Sequence, residues 1–269
     1  PPVECFKTTR MKKDEMKSKR RMPSSGALAE EIFPAAAQAQ GPRLKTCWPA
    51  FDYAGKPAQA DNSFSRSTVA GSQRDTARAT AESRTMTAAD GRLQIRLDGK
   101  TYKGFPVEEY NVLATNLSKT EPTGIIGNFR SLNLSLGKPV SKQAVALHVL
   151  RGSTCKSTDF IPETFTIEAG NEQVLTTTCG RSSNDYIPFL ELHLDDQHGF
   201  LFAIGWTGSW KARFANTGTA VDVEIGMERT HFRLMPGETI RQPSVLVFAR
   251  EHQTRREFKT LVHRFMLEN

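Results

Sequence analysis

The chain has 269 residues, of which 38% are hydrophobic and 24% are charged, so it has enough apolar side chains to bury the core of one large domain. No run of about 18 apolar residues occurs, so no membrane-spanning helix is predicted. Much of the net charge of +7 comes from residues 1–25, which contain eight basic and three acidic residues. The rest of the chain is close to neutral, which argues against a nucleic-acid-binding protein.

The first third of the chain has the composition of a tail. Residues 61–90 contain sixteen Ser, Thr or Ala residues and only three large apolar ones, too few to offset the entropy lost on ordering. We therefore predict that residues 1–90 are a mostly disordered, basic and low-complexity tail. An aromatic island within it, Trp48, Phe51 and Tyr53, is interpreted as incidental to the fold, with docking on the folded domain as the alternative.

The start of the chain also bears on localisation. An Ala-rich stretch at residues 27–40 resembles a signal cleavage region, but no apolar segment of the length that a secretory signal needs precedes it. A cytoplasmic location is therefore slightly favoured.

From residue 91 the chain shows the period-2 alternation of β-strands, interrupted by turn sequences such as Asp98-Gly99 and Pro236-Gly237. The apolar or alternating runs are 93–97, 144–150, 165–167, 173–178, 190–194, 200–206, 220–227, 232–234 and 244–249. No helical pattern separates them, which excludes βαβ units. The predicted fold is mainly β: a large antiparallel β-sandwich over residues 91–252.

One helix is predicted, at residues 253–269. Its apolar residues recur at i, i+3, i+4, i+7 and i+8, which is the spacing of a single stripe on a helix. They are Phe258, Leu261, Val262, Phe265 and Met266. We expect this stripe to pack either on the sandwich or on a partner that lies outside this sequence.

Few residue patterns indicate chemistry. Asp195, Asp196 and His198 lie between two predicted strands and could serve as an acid/base cluster, because glycosidases use paired carboxylates. Asp-Asp-Gln-His-Gly is also an ordinary polar turn sequence, and we prefer that interpretation. His148 and His193 fall within strands and are interpreted as satisfied sheet residues.

The cysteines and the remaining motifs indicate no metal site and no cofactor. Cys155 and Cys179 are interpreted as free thiols, although strands could bring them together as a disulfide, and Cys5 and Cys47 lie in the tail. The sequence contains no C-x-x-C spacing, Gly-rich phosphate loop or nucleophile elbow.

Two tryptophans flank a glycine-containing turn in the segment from Ala203 to Ala212. An indole ring offers a flat face on which a sugar can stack and an N–H that can donate to a hydroxyl. Trp206 and Trp210 are therefore the candidate substrate-binding residues, with core packing as the alternative for both.

Four segments in order, at 203–212, 226–232, 234–243 and 263–269, are similar to the N-terminal domain of glycoside hydrolase family 36, the bacterial-type α-galactosidases. The resemblance implies a β-sandwich that precedes and packs on a (β/α)₈ barrel carrying both catalytic aspartates. Since the chain ends where that barrel should start, no residue here inherits a catalytic role.

The resemblance leads to a functional expectation. The chain is expected to be the non-catalytic N-terminal domain of an α-galactosidase-like enzyme that hydrolyses terminal α-galactosides with retention, and to be inactive alone. Its partners would be a galactoside-type carbohydrate, reached through the absent barrel, and possible further copies in a homo-oligomer, but no membrane. The alternatives are a free-standing carbohydrate-binding module and a nucleic-acid binder that uses the basic tail.

Overall fold

A computed structural model describes residues 48–58, 64–68, 74–137 and 143–269. In chain order the strands are β1 (Ala50–Tyr53), β2 (Lys56–Pro57), β3 (Phe64–Thr68), β4 (Arg74–Asp75), β5 (Ala79–Ala88), β6 (Leu93–Tyr102), β7 (Val107–Asn116), β8 (Ile126–Gly137), β9 (Val145–Leu150), β10 (Pro162–Ile167), β11 (Glu172–Thr176), β12 (Phe189–His193), β13 (His198–Gly205), β14 (Trp210–Asn216), β15 (Ala220–Met227), β16 (His231–Phe232), β17 (Thr239–Arg241) and β18 (Ser244–Glu251). A single helix among the described residues, α1 (Arg255–Glu268), follows β18.

The described strands form two antiparallel sheets. The seven-stranded sheet has the order β11-β14-β15-β8-β1-β2, with β16 also paired to β8. The eleven-stranded sheet has the order β10-β9-β12-β13-β18-β7-β6-β5-β3, with β17 on β7 and β4 on β5. The predicted antiparallel β-sandwich is therefore confirmed.

The main core lies between the two sheets. Alternate residues of β6 point inward, so Leu93, Ile95 and Leu97 are all buried. Phe202 of the eleven-stranded sheet and Phe214 of the seven-stranded sheet meet with ring centroids 5.6 Å apart, and both are fully buried. The period-2 pattern of the sequence thus gives each sheet one apolar face, and the two apolar faces cover each other.

The predicted boundary at residue 91 lies too late in the chain. β5 is a ten-residue strand paired with β6 along most of its length, and Met86 is completely buried. Neighbouring strands provide hydrogen-bond partners for the backbone N–H and C=O groups of this Ser/Thr-rich segment. A few side chains that point into the core are then enough to order it. Residues 1–47 lie outside the described residues.

The aromatic island is also part of the fold, contrary to our preferred interpretation. Phe51 is only 4% exposed, and its ring lies 5.3 Å from the rings of both Phe64 and Phe129. Tyr53 contacts Phe64 edge-on at 5.8 Å. The docking alternative is therefore correct, because β1 joins the seven-stranded sheet beside β8.

Helix α1 packs on the outer face of the eleven-stranded sheet. Thr254 and Glu257 form a capping box that fixes its start. Phe258 and Phe265 are buried in a second cluster with residues of β7, β13 and β18, whereas Met266 is 47% exposed. The sheet thus covers only part of the predicted apolar stripe. None of the helices in the described ranges is long and apolar enough to cross a membrane.

Candidate functional site

The β13–β14 hairpin places the two candidate tryptophans in different environments. Trp210 is 0% exposed. Its indole Nε1 donates to the carbonyl oxygen of Ser182 at 2.7 Å, and its backbone N–H donates to the hydroxyl of Thr177 at 3.1 Å. Trp210 therefore has no exposed face on which a sugar could stack, and the core-packing alternative describes it.

Trp206 is partly exposed and packs against the edge of the main core. The ring lies close to the backbone of Gly208, where an added Cβ atom would come within 2.9 Å of the indole Nε1. Glycine at this position therefore leaves room for the ring where it lies. Of the two candidates, only Trp206 is partly exposed.

The segment 177–185 packs beside this hairpin. The backbone N–H of Ser182 donates to the carbonyl of Thr207 at 3.2 Å, and the N–H of Gly180 donates to the Ser209 hydroxyl at 3.1 Å. Asp185 organises the segment by accepting from the backbone N–H and hydroxyl of Thr178 at 2.6 and 2.8 Å. Burial raises the pKa of Asp185, but hydrogen bonds from Thr178 and Asn184 outweigh it and lower the pKa overall.

The Asp195–His198 segment is a turn, as we preferred from the sequence. One carboxylate oxygen of Asp195 accepts from the backbone N–H groups of Gln197 and His198, at 2.7 Å each, and the carboxylate also meets the His198 Nδ1 at 2.9 Å. Burial raises the pKa of Asp195, but these hydrogen bonds lower it overall. Asp196 is exposed, so the two carboxylates differ in environment and Asp195 serves the turn.

His148 and His193 lie side by side on the outer face of the eleven-stranded sheet, with ring centroids 4.5 Å apart. His193 Nε2 contacts the carboxylate of Glu191 at 2.7 Å, and His148 Nδ1 contacts the hydroxyl of Thr164 at 2.7 Å. Both imidazoles thus have hydrogen-bond partners on the sheet, as predicted. Burial, followed by the neighbouring His193, lowers the pKa of His148.

A cleft of about 760 Å³, which the sequence did not indicate, lies between α1 and the strands β9, β10, β12 and β13. Its helical wall carries Arg255, Lys259 and His263, which recur every four residues and so lie on one side of the helix. That spacing was visible in the sequence. Which strands face these residues depends on how α1 docks on the sheet, and the sequence does not reveal that arrangement.

Cys155 and Cys179 are both free and exposed, while Cys5 and Cys47 lie outside the described residues. Within the described ranges, no group of three or more His, Cys, Asp or Glu side chains is arranged to hold a metal ion.

Comparison with known proteins gives matches at the level of structure. No family model matches the chain, and no curated protein matches its sequence. The galactosidase domain of the α-galactosidase–sucrose kinase AgaSK matches 76% of this chain with a TM-score of 0.56 and 15% identity. The GH36 α-galactosidase AgaA from Geobacillus stearothermophilus (TM-score 0.55) and the α-galactosidase from Lactobacillus brevis (TM-score 0.53) match the same share at 15% identity.

The match covers most of this chain but a minor part of the others: 30% of AgaSK, 30% of AgaA and 31% of the Lactobacillus brevis enzyme. At 15% identity the likeness concerns the fold. The resemblance found in the sequence is therefore confirmed at that level: this chain has the β-sandwich fold found in one part of the α-galactosidases of glycoside hydrolase family 36.

Proposed function

We propose that this chain is the non-catalytic N-terminal β-sandwich domain of an α-galactosidase-like glycoside hydrolase. The observation that carries the proposal is the coverage of the structural match, which takes in 76% of this chain and about 30% of α-galactosidases. The hydrolysis of terminal α-galactosides would then take place on another domain, and this domain would support it.

The polar groups described above agree with a supporting role. A glycosidase needs two carboxyl groups on either side of the scissile bond, about 5 Å apart in retaining and about 6.5–9.5 Å apart in inverting enzymes. At the turn that the sequence singled out, Asp195 is committed to hydrogen bonds with Gln197 and His198. Of the carboxylate pair that the sequence suggested, Asp195 therefore has a structural use.

We assign to Trp206 the one sugar contact that this domain would offer. Trp206 is partly exposed, and the turn that carries it is fixed by hydrogen bonds from the backbone N–H groups of Gly180 and Ser182. A rigid aromatic ring at the rim of a neighbouring active site can stack on a galactosyl unit without a large entropy cost.

Activity and binding assays on the purified full chain test this proposal. We expect no turnover of 4-nitrophenyl α-D-galactopyranoside and no saturable heat in calorimetric titrations with galactose or raffinose. Turnover above that of a mock purification would contradict the non-catalytic role. Saturable binding would favour the alternative, a free-standing carbohydrate-binding module.

A matched pair of variants separates the two outcomes further. If the chain binds sugar through Trp206, Trp206→Ala abolishes the heat, whereas Phe189→Ala, which removes a 40% exposed aromatic ring elsewhere, does not. The gene gives a third test. An in-frame continuation after Asn269 with alternating strands and helices supports the proposal, whereas a stop codon with no catalytic domain encoded nearby contradicts it.

A further inference from the structure

The cleft beside α1 has the size and the lining of a small-molecule site. Its volume of about 760 Å³ lies within the range of about 300–1,000 Å³ that ligand pockets occupy. Eight of its fifteen lining residues are apolar, and three of these, Leu150, Phe189 and Met266, are 41%, 40% and 47% exposed. Large apolar side chains that are exposed around one cleft mark a binding surface.

Helix α1 contributes two rows of side chains to this cleft. The apolar row consists of Phe258, Val262 and Met266, and the basic row consists of Arg255, Lys259 and His263. Residues that recur every four positions share a side of a helix, and rows offset by three positions are neighbours. Phe258 is buried, whereas all three residues of the basic row are exposed. The cleft therefore has an apolar interior and a basic mouth.

The strands continue the apolar interior. Leu201 of β13 and Phe189 of β12 line the cleft from the side of the sheet, and Leu201 packs against the same hydrophobic cluster as Val262. These side chains offer no hydrogen-bond partner to the hydroxyl groups of a sugar, so the interior suits an alkyl chain. The apolar row extends from Phe258 to Met266, about 12 Å along the helix axis, which is about the length of an extended ten-carbon chain.

The two acidic residues of the cleft already have partners. Arg151 contacts both carboxylate oxygens of Glu163, through Nε at 2.8 Å and Nη2 at 3.0 Å. Glu191 contacts His193 at 2.7 Å and Arg255 at 3.6 Å. These contacts balance the negative charges of the cleft, so neither carboxylate is left to repel an anionic ligand.

The basic mouth keeps one positive charge that its own chain does not balance. Within the described ranges, the ion pairs of α1 are those of Arg255 with Glu191 and of Arg264 with Glu268. Lys259 lies one helical turn after Arg255 and makes no ion pair with a described residue. A carboxylate at the mouth would balance the Lys259 ammonium and could reach the guanidinium of Arg255 as well.

We propose that the cleft beside α1 binds a straight-chain carboxylate of about ten carbons, with its alkyl chain against Phe189, Leu201 and Val262 and its head group at Lys259. The uncompensated charge of the mouth selects the sign of the head group, and the apolar interior selects the tail. The inference rests on the lining, exposure and ion pairs described here and does not depend on the proposed function.

Isothermal titration calorimetry on the full chain tests the proposal, at about pH 8, where a carboxylate is ionised and histidine is mostly neutral. We expect saturable binding of decanoate with a dissociation constant below about 1 mM. Octanoate should bind about tenfold more weakly, because two methylene groups fewer leave water. Decyltrimethylammonium has a chain of the same length and the opposite charge, and it should bind at least about tenfold more weakly than decanoate.

Two pairs of variants locate the site, with circular dichroism verifying that each variant is folded. Lys259→Gln should weaken decanoate binding about fivefold. Its matched control is Arg256→Gln, which removes the same charge from an exposed position of the same helix outside the cleft. Phe189→Ala should weaken binding about threefold or more. Phe160→Ala, which removes a 58% exposed ring that does not line the cleft, should leave binding unchanged.

Several results would overturn the proposal. One is the lack of saturable decanoate binding up to about 5 mM. Equal affinity for decanoate and decyltrimethylammonium would exclude a role for the basic mouth, and equal affinity for decanoate and octanoate would exclude burial of the chain. Equal effects of Lys259→Gln and Arg256→Gln, or of Phe189→Ala and Phe160→Ala, would place the ligand outside this cleft.

Discussion

The attachment of α1 to the sandwich can be tested by replacing Phe265 with alanine. Phe265 is 3% exposed, and its ring meets Tyr102, Phe105 and Phe248 edge-on, with centroids 4.8, 5.4 and 5.1 Å away. Truncating a buried phenylalanine costs about 3–5 kcal/mol through lost burial and the cavity that remains. Because α1 lies on the surface of the sheet and its neighbours can relax, we expect a loss near 3 kcal/mol in the free energy of unfolding.

Urea denaturation, followed by tryptophan fluorescence and far-ultraviolet circular dichroism, measures this loss. The adjacent residue supplies the control: Met266 is 47% exposed, so Met266→Ala should change the free energy of unfolding by no more than about 0.5 kcal/mol. If Phe265→Ala costs as little as Met266→Ala, the helix does not dock through this aromatic cluster and the reasoning is refuted.

Three further changes have expected outcomes. Gly226→Ala should destabilise by about 2–3 kcal/mol in urea denaturation, because its Cβ would lie 2.5 Å from the carbonyl oxygen of Phe129; a neutral effect would contradict the close approach. Gln242→Met should raise stability by about 1–2 kcal/mol, because both amide atoms of the side chain are buried without a hydrogen-bond partner in the part of the chain that the structure describes; a loss would indicate a bound water. Burial, then His193, lowers the pKa of His148 below its ordinary 6.5. The unfolded chain then binds that proton more readily, and stability falls as the pH drops below about 6.5. His148→Gln should reduce the fall in melting temperature between pH 7 and 5.5, and an unchanged fall would exclude His148 as a cause.

Much of the sandwich could be predicted because alternation in a strand reports directly on burial. The residues of β15 are a clear case: Val221, Val223 and Ile225 alternate in the sequence and are all fully buried. β5 escaped prediction for the same reason. Its inward positions toward the main core include Arg84, Met86 and Ala88, so the apolar alternation is weak and its order depends on pairing with β3 and β6.

The candidate site was less predictable because it depends on tertiary placement. Trp206 and Trp210 flank the same turn, and composition alone does not distinguish the environments of their side chains. Trp210 begins β14 and points into the core, where Ser182 accepts its indole N–H, whereas Trp206 lies before the strand and stays partly exposed. The cleft is another such case, since its walls come from α1 and from strands more than fifty residues earlier in the chain.

The apolar stripe of α1 shows why a pattern can predict an element but not its partners. Phe258 and Phe265 are seven residues apart, about two helical turns, and both are buried against the sheet. Val262 and Met266 belong to the same stripe but line the cleft. Phe258 and Phe265 thus fix the helix to its own domain, with Val262 packed against the same cluster, whereas Met266 is 47% exposed. A stripe that is wider than the contact with the sheet cannot be covered by that one surface.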